Sequence, residues 1–111
     1  MNQVIELAAF INAPGAVRQA LHADTLFSKD AALYTVFVAL QDTSDEMGAT
    51  ILLPKSHTAN AHDRFDDPDD QLTFLRTTPY TTADLKAGDA LIYDSRTLHC
   101  GNIRLPNSAL R

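Results

Sequence analysis

A chain of 111 residues that is 45% hydrophobic has material for one modest core and at most one domain. Its net charge of -5 comes with no basic patch, and no run approaches the ~18 apolar residues of a membrane helix, so a nucleic-acid partner and a membrane span are both excluded. The single cysteine, Cys100, cannot close an internal disulfide, which favours an intracellular, reducing compartment.

In chain order, Glu6 to Ile11 is short and apolar and reads as a helix turn or a strand, closed by the turn signal Pro14-Gly15. Val17 to Asp24 reads as a strand and Thr25 to Ala31 as a loop. Leu33 to Leu40 is rich in β-branched and aromatic residues and is the strongest strand of the chain. Asp42 to Gly48 is a polar turn, and Ala49 to Leu53 a strand stopped by Pro54. Ser56 to Asp70 reads as a long polar connection. Within it, Asp63 to Asp70 carries five acids against the one base Arg64, so most of the net charge lies there. Leu72 to Thr77 reads as a short strand, Leu85 to Asp89 as a turn, and Ala90 to Asp94 and Thr97 to Gly101 as strands. Short strands with Gly, Pro and Asp turns between them indicate a mainly all-β sandwich or barrel.

The chemistry concentrates in His22-Ala23-Asp24. On an extended strand, residues i and i+2 face the same side, so one imidazole and one carboxylate aim at a common point. A second imidazole from a later strand, His99, would complete two histidines and one carboxylate on one face of a metal ion. That set leaves three coordination positions open, the arrangement of non-heme Fe(II) oxygenases. Such an ion could take a bidentate 2-oxo acid and then dioxygen. A dicarboxylate co-substrate would also need a cation, best an Arg fork, and Arg104 and Arg111 both follow His99. Thr35, Phe37 and Ala39 share a face of the strongest strand. Thr35 offers a hydroxyl to the co-substrate and Phe37 an apolar wall, with Tyr34, Val36 and Val38 packing on the other side.

Ordered segments around these residues resemble the phytanoyl-CoA dioxygenase family, within the Fe(II)/2-oxoglutarate oxygenases. Pro14-Gly15-Ala16 with Gln19 to Asp24 is similar to the family's first metal strand, and Val38 to Asp42 to its next core strand. Met47 to Thr50 with Leu53 to His57 is similar to its Pro-Gly-Ser/Thr-His segment, except that Lys55 stands where glycine is usual. Gly88-Asp89 with Asp94 to Gly101 is similar to the distal histidine region, and Asn107-Ser108 with Arg111 to the stretch that supplies an arginine. The resemblance implies a double-stranded β-helix, a jelly-roll barrel of the cupin type. It implies Fe(II), 2-oxoglutarate and dioxygen, with succinate and CO2 released as a small or lipid-like substrate is hydroxylated. By motif position His22, Asp24 and His99 carry over as metal ligands and Arg111 as the co-substrate anchor, while Phe37 falls where relatives place a bulky pocket residue. Asp24 keeps the carboxylate that halogenating relatives lose. Family members are longer, so the chain, residues 1–111, is expected to be a single partial domain that lacks N-terminal helices and a last strand.

Plainer roles compete at several positions. His57 reads as a turn residue and His62 as a solvated residue of the acidic loop. Cys100 alternates away from His99 into packing, and Arg96 reads as a surface or salt-bridged residue. The Asp63 to Asp70 cluster lacks the Gly and terminal Glu of an EF-hand loop and reads as a solvated insertion. Two alternatives to the oxygenase stand beside it: a non-catalytic cupin-like β-domain, and a cupin metalloenzyme that does not use 2-oxoglutarate and recruits His57 or His62.

Overall fold

The structure is a computed structural model that describes residues 3–30 and 33–102. It is β-rich, with two antiparallel sheets, two short α-helices and a 3-10 turn at Asp45–Met47. Strands β1 (Tyr34–Val38) and β4 (Ala90–Asp94) form a two-stranded ribbon in which Thr35 opposes Tyr93 and Phe37 opposes Leu91. Strands β3 (Thr81–Thr82), β2 (Thr50–Leu52) and β5 (His99–Gly101) form the second sheet in the order β3-β2-β5. Among the described residues the strands do not close into a barrel.

β1, β2, β4 and β5 lie within segments read as strands from the sequence. Val17 to Asp24 departs from expectation. It is extended along the free edge of β5, but it bonds there only at intervals: Gln19 N–H to Gly101 O at 3.0 Å, then a reciprocal bridge between His22 and His99. Glu6 to Ile11 is neither helix nor strand, and its Leu7 is 94% exposed. Tyr34, Val36 and Val38 point away from the site as expected, yet this face of the ribbon stays largely exposed, together with Ile92 opposite Val36.

The polar connection after Ser56 and the strand at Leu72 to Thr77 are both corrected by the structure. Ala59–Asp66 is a helix, α1, and Gln71–Thr77 is a second, α2. The Thr58 side chain caps α1 by accepting from Ala61 N–H. Pro68 prevents the two helices from running together. Ala61, His62 and Phe65 share one face of α1 at helical spacing, so Asp63 and Asp66 take the solvent side. Arg64 reaches from α1 to Asp70 at 2.6 Å and lies over the Phe74 ring at 5.3 Å, fastening α1 to α2. His62 is buried and hydrogen-bonded to Arg96 O, not solvated.

The core gathers Ile51, Leu53, Ala61, Phe74, Leu98 and Cys100, with Leu21 and Ala23 packed against it. Ile51 opposes Cys100 in the β2–β5 register, so both face the helices, while Leu52 and His99 face the other way. The β2 end turns through Leu53-Pro54-Lys55-Ser56, closed by Ser56 N–H to Leu53 O at 3.2 Å. Lys55 stands at φ 65°, the left-handed conformation that a glycine would adopt without strain. Ser56, 1% exposed, ties this turn to the strand carrying His99: its hydroxyl donates to Leu53 O and accepts from Leu98 N–H, both at 2.7 Å. Replacing Ser56 with Ala leaves the Leu98 amide buried without a partner. We expect a loss of roughly 1–3 kcal/mol in urea unfolding; an unchanged midpoint would show that the turn is held by other contacts.

Candidate metal centre

The site is assembled by strand alternation. From Leu21 to Asp24, residues 21 and 23 enter the core and residues 22 and 24 face the opposite side. The bridge from His22 N–H to His99 O at 3.0 Å and from His99 N–H to His22 O at 2.8 Å sets the two imidazoles directly opposite each other, with ring centroids 4.6 Å apart. Asp24 is held by its own backbone, its N–H donating to Ser95 O at 2.9 Å. The ligand atoms of His22, Asp24 and His99 all lie within 4.8 Å of one another.

Hydrogen bonding fixes which imidazole nitrogens face inward. Nδ1 of His22 lies 2.7 Å from Ala20 O and Nδ1 of His99 lies 2.9 Å from Thr97 O. A carbonyl can only accept, so each Nδ1 carries the proton that it donates, which leaves Nε2 as the nitrogen that faces inward and can serve as a metal ligand. Asp24 Oδ1 joins them, 3.2 Å from His99 Nε2 and 3.9 Å from His22 Nε2. Three electron-rich atoms facing one another form a donor set that could hold a metal ion. Ligands around a divalent first-row ion sit about 2.0–2.2 Å from it, which places neighbouring donors roughly 3 Å apart; the set, whose donors all lie within 4.8 Å of one another, would draw together around such an ion. His99 is 5% exposed at its side chain, whereas His22 and Asp24 are 43% and 34% exposed, leaving one flank open to an incoming molecule.

The ribbon β1/β4 presents its inner face to this centre. The Tyr93 ring stands 4.9 Å from His99 and 6.0 Å from Phe37. Its hydroxyl is 3.2 Å from both Asp24 Oδ2 and His99 Nε2. Burial, and then the charge of Asp24, raises the phenol well above its ordinary range, so it stays a neutral donor. The Thr35 hydroxyl donates to Asp24 Oδ2 at 2.7 Å and lies 2.9 Å from Ser95 Oγ.

A family profile described as phytanoyl-CoA dioxygenase (PhyH) matches residues 1–102. The chain belongs to the phytanoyl-CoA dioxygenase family. It is similar to the protein named dioxygenase aneA of Aspergillus aculeatus, 37% identical over 98 residues, which cover 79% of this chain and 30% of that protein. The chain thus spans less than a third of that relative's length. No solved structure matches it.

Of the residues singled out in the sequence of this family member, His22, Asp24 and His99 come together. Thr35 and Phe37 lie on the ribbon face turned toward them, with the Thr35 hydroxyl bonded to Asp24. Arg104 and Arg111 fall outside the described residues. His57 is a turn residue, and neither it nor His62 joins the cluster. Cys100 packs in the core, where burial pushes its thiol up. Arg96 is salt-bridged as read, its guanidinium 2.7 Å from Asp94. Among the described residues no helix is long and apolar enough to cross a membrane.

Tyr93 and Ser95 went unremarked in the sequence. Tyr93 lies on β4 and Ser95 in the turn just after it, and their approach to Asp24 depends on the pairing of Tyr93 with Thr35 across 58 residues of chain. The turn after β4 is pinned by Arg96, which bonds Asp94 and also Ser28 O at 2.8 Å. These bonds hold the Asp94 carboxyl down to about 2, from an ordinary 3.8. A lowered pKa means stability that is complete above the ordinary value and lost as pH falls through the lowered one. Asp94→Asn should therefore lower the urea midpoint by a constant amount above about pH 4, and the deficit should shrink toward pH 2. A pH-independent deficit would contradict this.

Proposed function

We propose that this chain is the metal-binding portion of an Fe(II)- and 2-oxoglutarate-dependent dioxygenase that hydroxylates a small or lipid-like organic substrate. The observation that carries the reading is the bridge between His22 and His99, which turns two Nε2 atoms and Asp24 Oδ1 onto one point. Membership of the phytanoyl-CoA dioxygenase family and the likeness to a protein named a dioxygenase support it. Two antiparallel sheets meeting at Tyr93 and His99 support reading residues 1–111 as part of one double-stranded β-helix domain.

Fe(II) with 2-oxoglutarate, when bound, would supply the dioxygen chemistry, with one oxygen atom going to succinate as CO2 leaves and the other to the substrate. The chain's own residues do the rest. His22, Asp24 and His99 would hold the ion. The carbonyls of Ala20 and Thr97 lock both rings in the binding tautomer. Phe37 and Tyr93 form an apolar wall that limits water on the buried flank. The exposed His22 and Asp24 flank is where co-substrate and substrate enter. Arg111, by its motif position, anchors the far carboxylate of 2-oxoglutarate.

His22→Ala should lower release of CO2 from carboxyl-labelled 2-oxoglutarate by more than roughly 100-fold, beyond the 10–100-fold cost of losing an outer partner. Undiminished release would overturn the ligand assignment. Arg111→Leu should abolish saturation by 2-oxoglutarate; activity retained without the co-substrate would instead favour a cupin metalloenzyme of another type.

A further inference from the structure

The two oxygens of Asp24 have unlike surroundings. Oδ1 faces the imidazoles of His99 and His22. Oδ2 accepts from the Thr35 hydroxyl at 2.7 Å and from the Tyr93 hydroxyl at 3.2 Å. Thr35 is in turn 2.9 Å from Ser95 Oγ, and the Ser95 carbonyl takes the Asp24 amide at 2.9 Å. The carboxylate is thereby gripped at its backbone and at one oxygen, and the other oxygen is left for a cation.

We infer that Thr35 and Tyr93 are positioning residues that occupy Oδ2 and confine Asp24 to ligation through Oδ1 alone. The inference rests on the metal reading of His22, Asp24 and His99. Its chemical consequence is a count of open positions. A six-coordinate ion held by three protein atoms keeps three positions free, enough for a bidentate 2-oxo acid and dioxygen together. A carboxylate bound through both oxygens would take a fourth position and leave no room for dioxygen beside the co-substrate. Two hydroxyl donors on Oδ2 oppose that second bond, because their hydrogen bonds engage its lone pairs.

Tyr93 has a second part in this. Its one proton lies within reach of two acceptors, Asp24 Oδ2 and His99 Nε2, each 3.2 Å away. Before an ion binds, the proton can cover the His99 lone pair. Once an ion takes that lone pair, the phenol has only Oδ2 to serve, and metal loading itself tightens the hold on Asp24. The ring contacts with Phe37 and His99 survive in Tyr93→Phe, so that substitution removes the hydroxyl with little loss of packing.

Mn(II) is the probe: it suits a carboxylate and water ligands, and the relaxation of water protons counts its exchangeable waters without dioxygen or co-substrate. The wild-type chain should show three such waters. The double variant Thr35→Val with Tyr93→Phe should lose one, lowering the relaxation enhancement per bound ion by about a third, with roughly tenfold weaker Mn(II) binding. Each single variant, checked for native far-UV circular dichroism, should move the same way, so the test survives if the double variant does not fold. An unchanged water count in folded variants that bind Mn(II) overturns the inference while leaving the metal reading intact. Absence of Mn(II) binding by the wild-type chain overturns the metal reading and the inference with it. A phenolate charge-transfer band on adding Fe(III), lost in Tyr93→Phe, would make Tyr93 a ligand and also overturn the inference.

Discussion

Two reciprocal hydrogen bonds between His22 and His99 hold the rest of the site in place. They dock an otherwise loosely bonded segment onto the edge of β5, and strand alternation does the remainder. Leu21 and Ala23 enter the core with Cys100 and Ile51, and the residues between them must emerge on the other side. A slip of one residue would bury His22 and Asp24 and expose the two core residues, so packing and site geometry enforce the same register. The apolar core on one face of the sheet thus selects the position of the polar cluster on the other.

The second constraint is electrostatic. Donor atoms from two imidazoles and a carboxylate face one another, and each is held there by a bond behind it: carbonyls behind the rings, hydroxyls behind the carboxylate. Such an arrangement suits a cation, because electron-rich groups converge where water is partly excluded. The surrounding fold supplies the stiffness. Ser56 ties the Lys55 turn to Leu98, Arg96 pins the turn between β4 and β5, and His62 closes on the Arg96 carbonyl from α1. The helix read as a solvated insertion therefore contributes to holding the strand that carries His99.

Local patterns were legible in the sequence, and long-range ones were not. The strand at Tyr34–Val38 announces itself by β-branched and aromatic residues, and His22 with Asp24 by a spacing of two, because both signals lie within a few neighbouring residues. The first helix was obscured by composition. Its acids suggest a solvated loop, and only Thr58 as a cap and Ala61 with Phe65 four residues on mark α1. Leu72 to Thr77 has a strand's propensity, yet Phe74 anchors it as a helix on the core, so tertiary packing overrode local preference. Tyr93 beside Asp24 was beyond reach, since it depends on which strands pair and in which register.

The central claim is that the opposed histidines and Asp24 assemble a site for Fe(II) with a bidentate 2-oxo acid. An anaerobic titration of the purified chain with Fe(II) and 2-oxoglutarate tests it most directly, read by the visible metal-to-ligand charge-transfer band of the chelate. The account predicts a saturable band in the wild-type chain and none in His99→Ala. A folded wild-type chain that gives no band, or a His99→Ala chain that keeps it, would contradict the account.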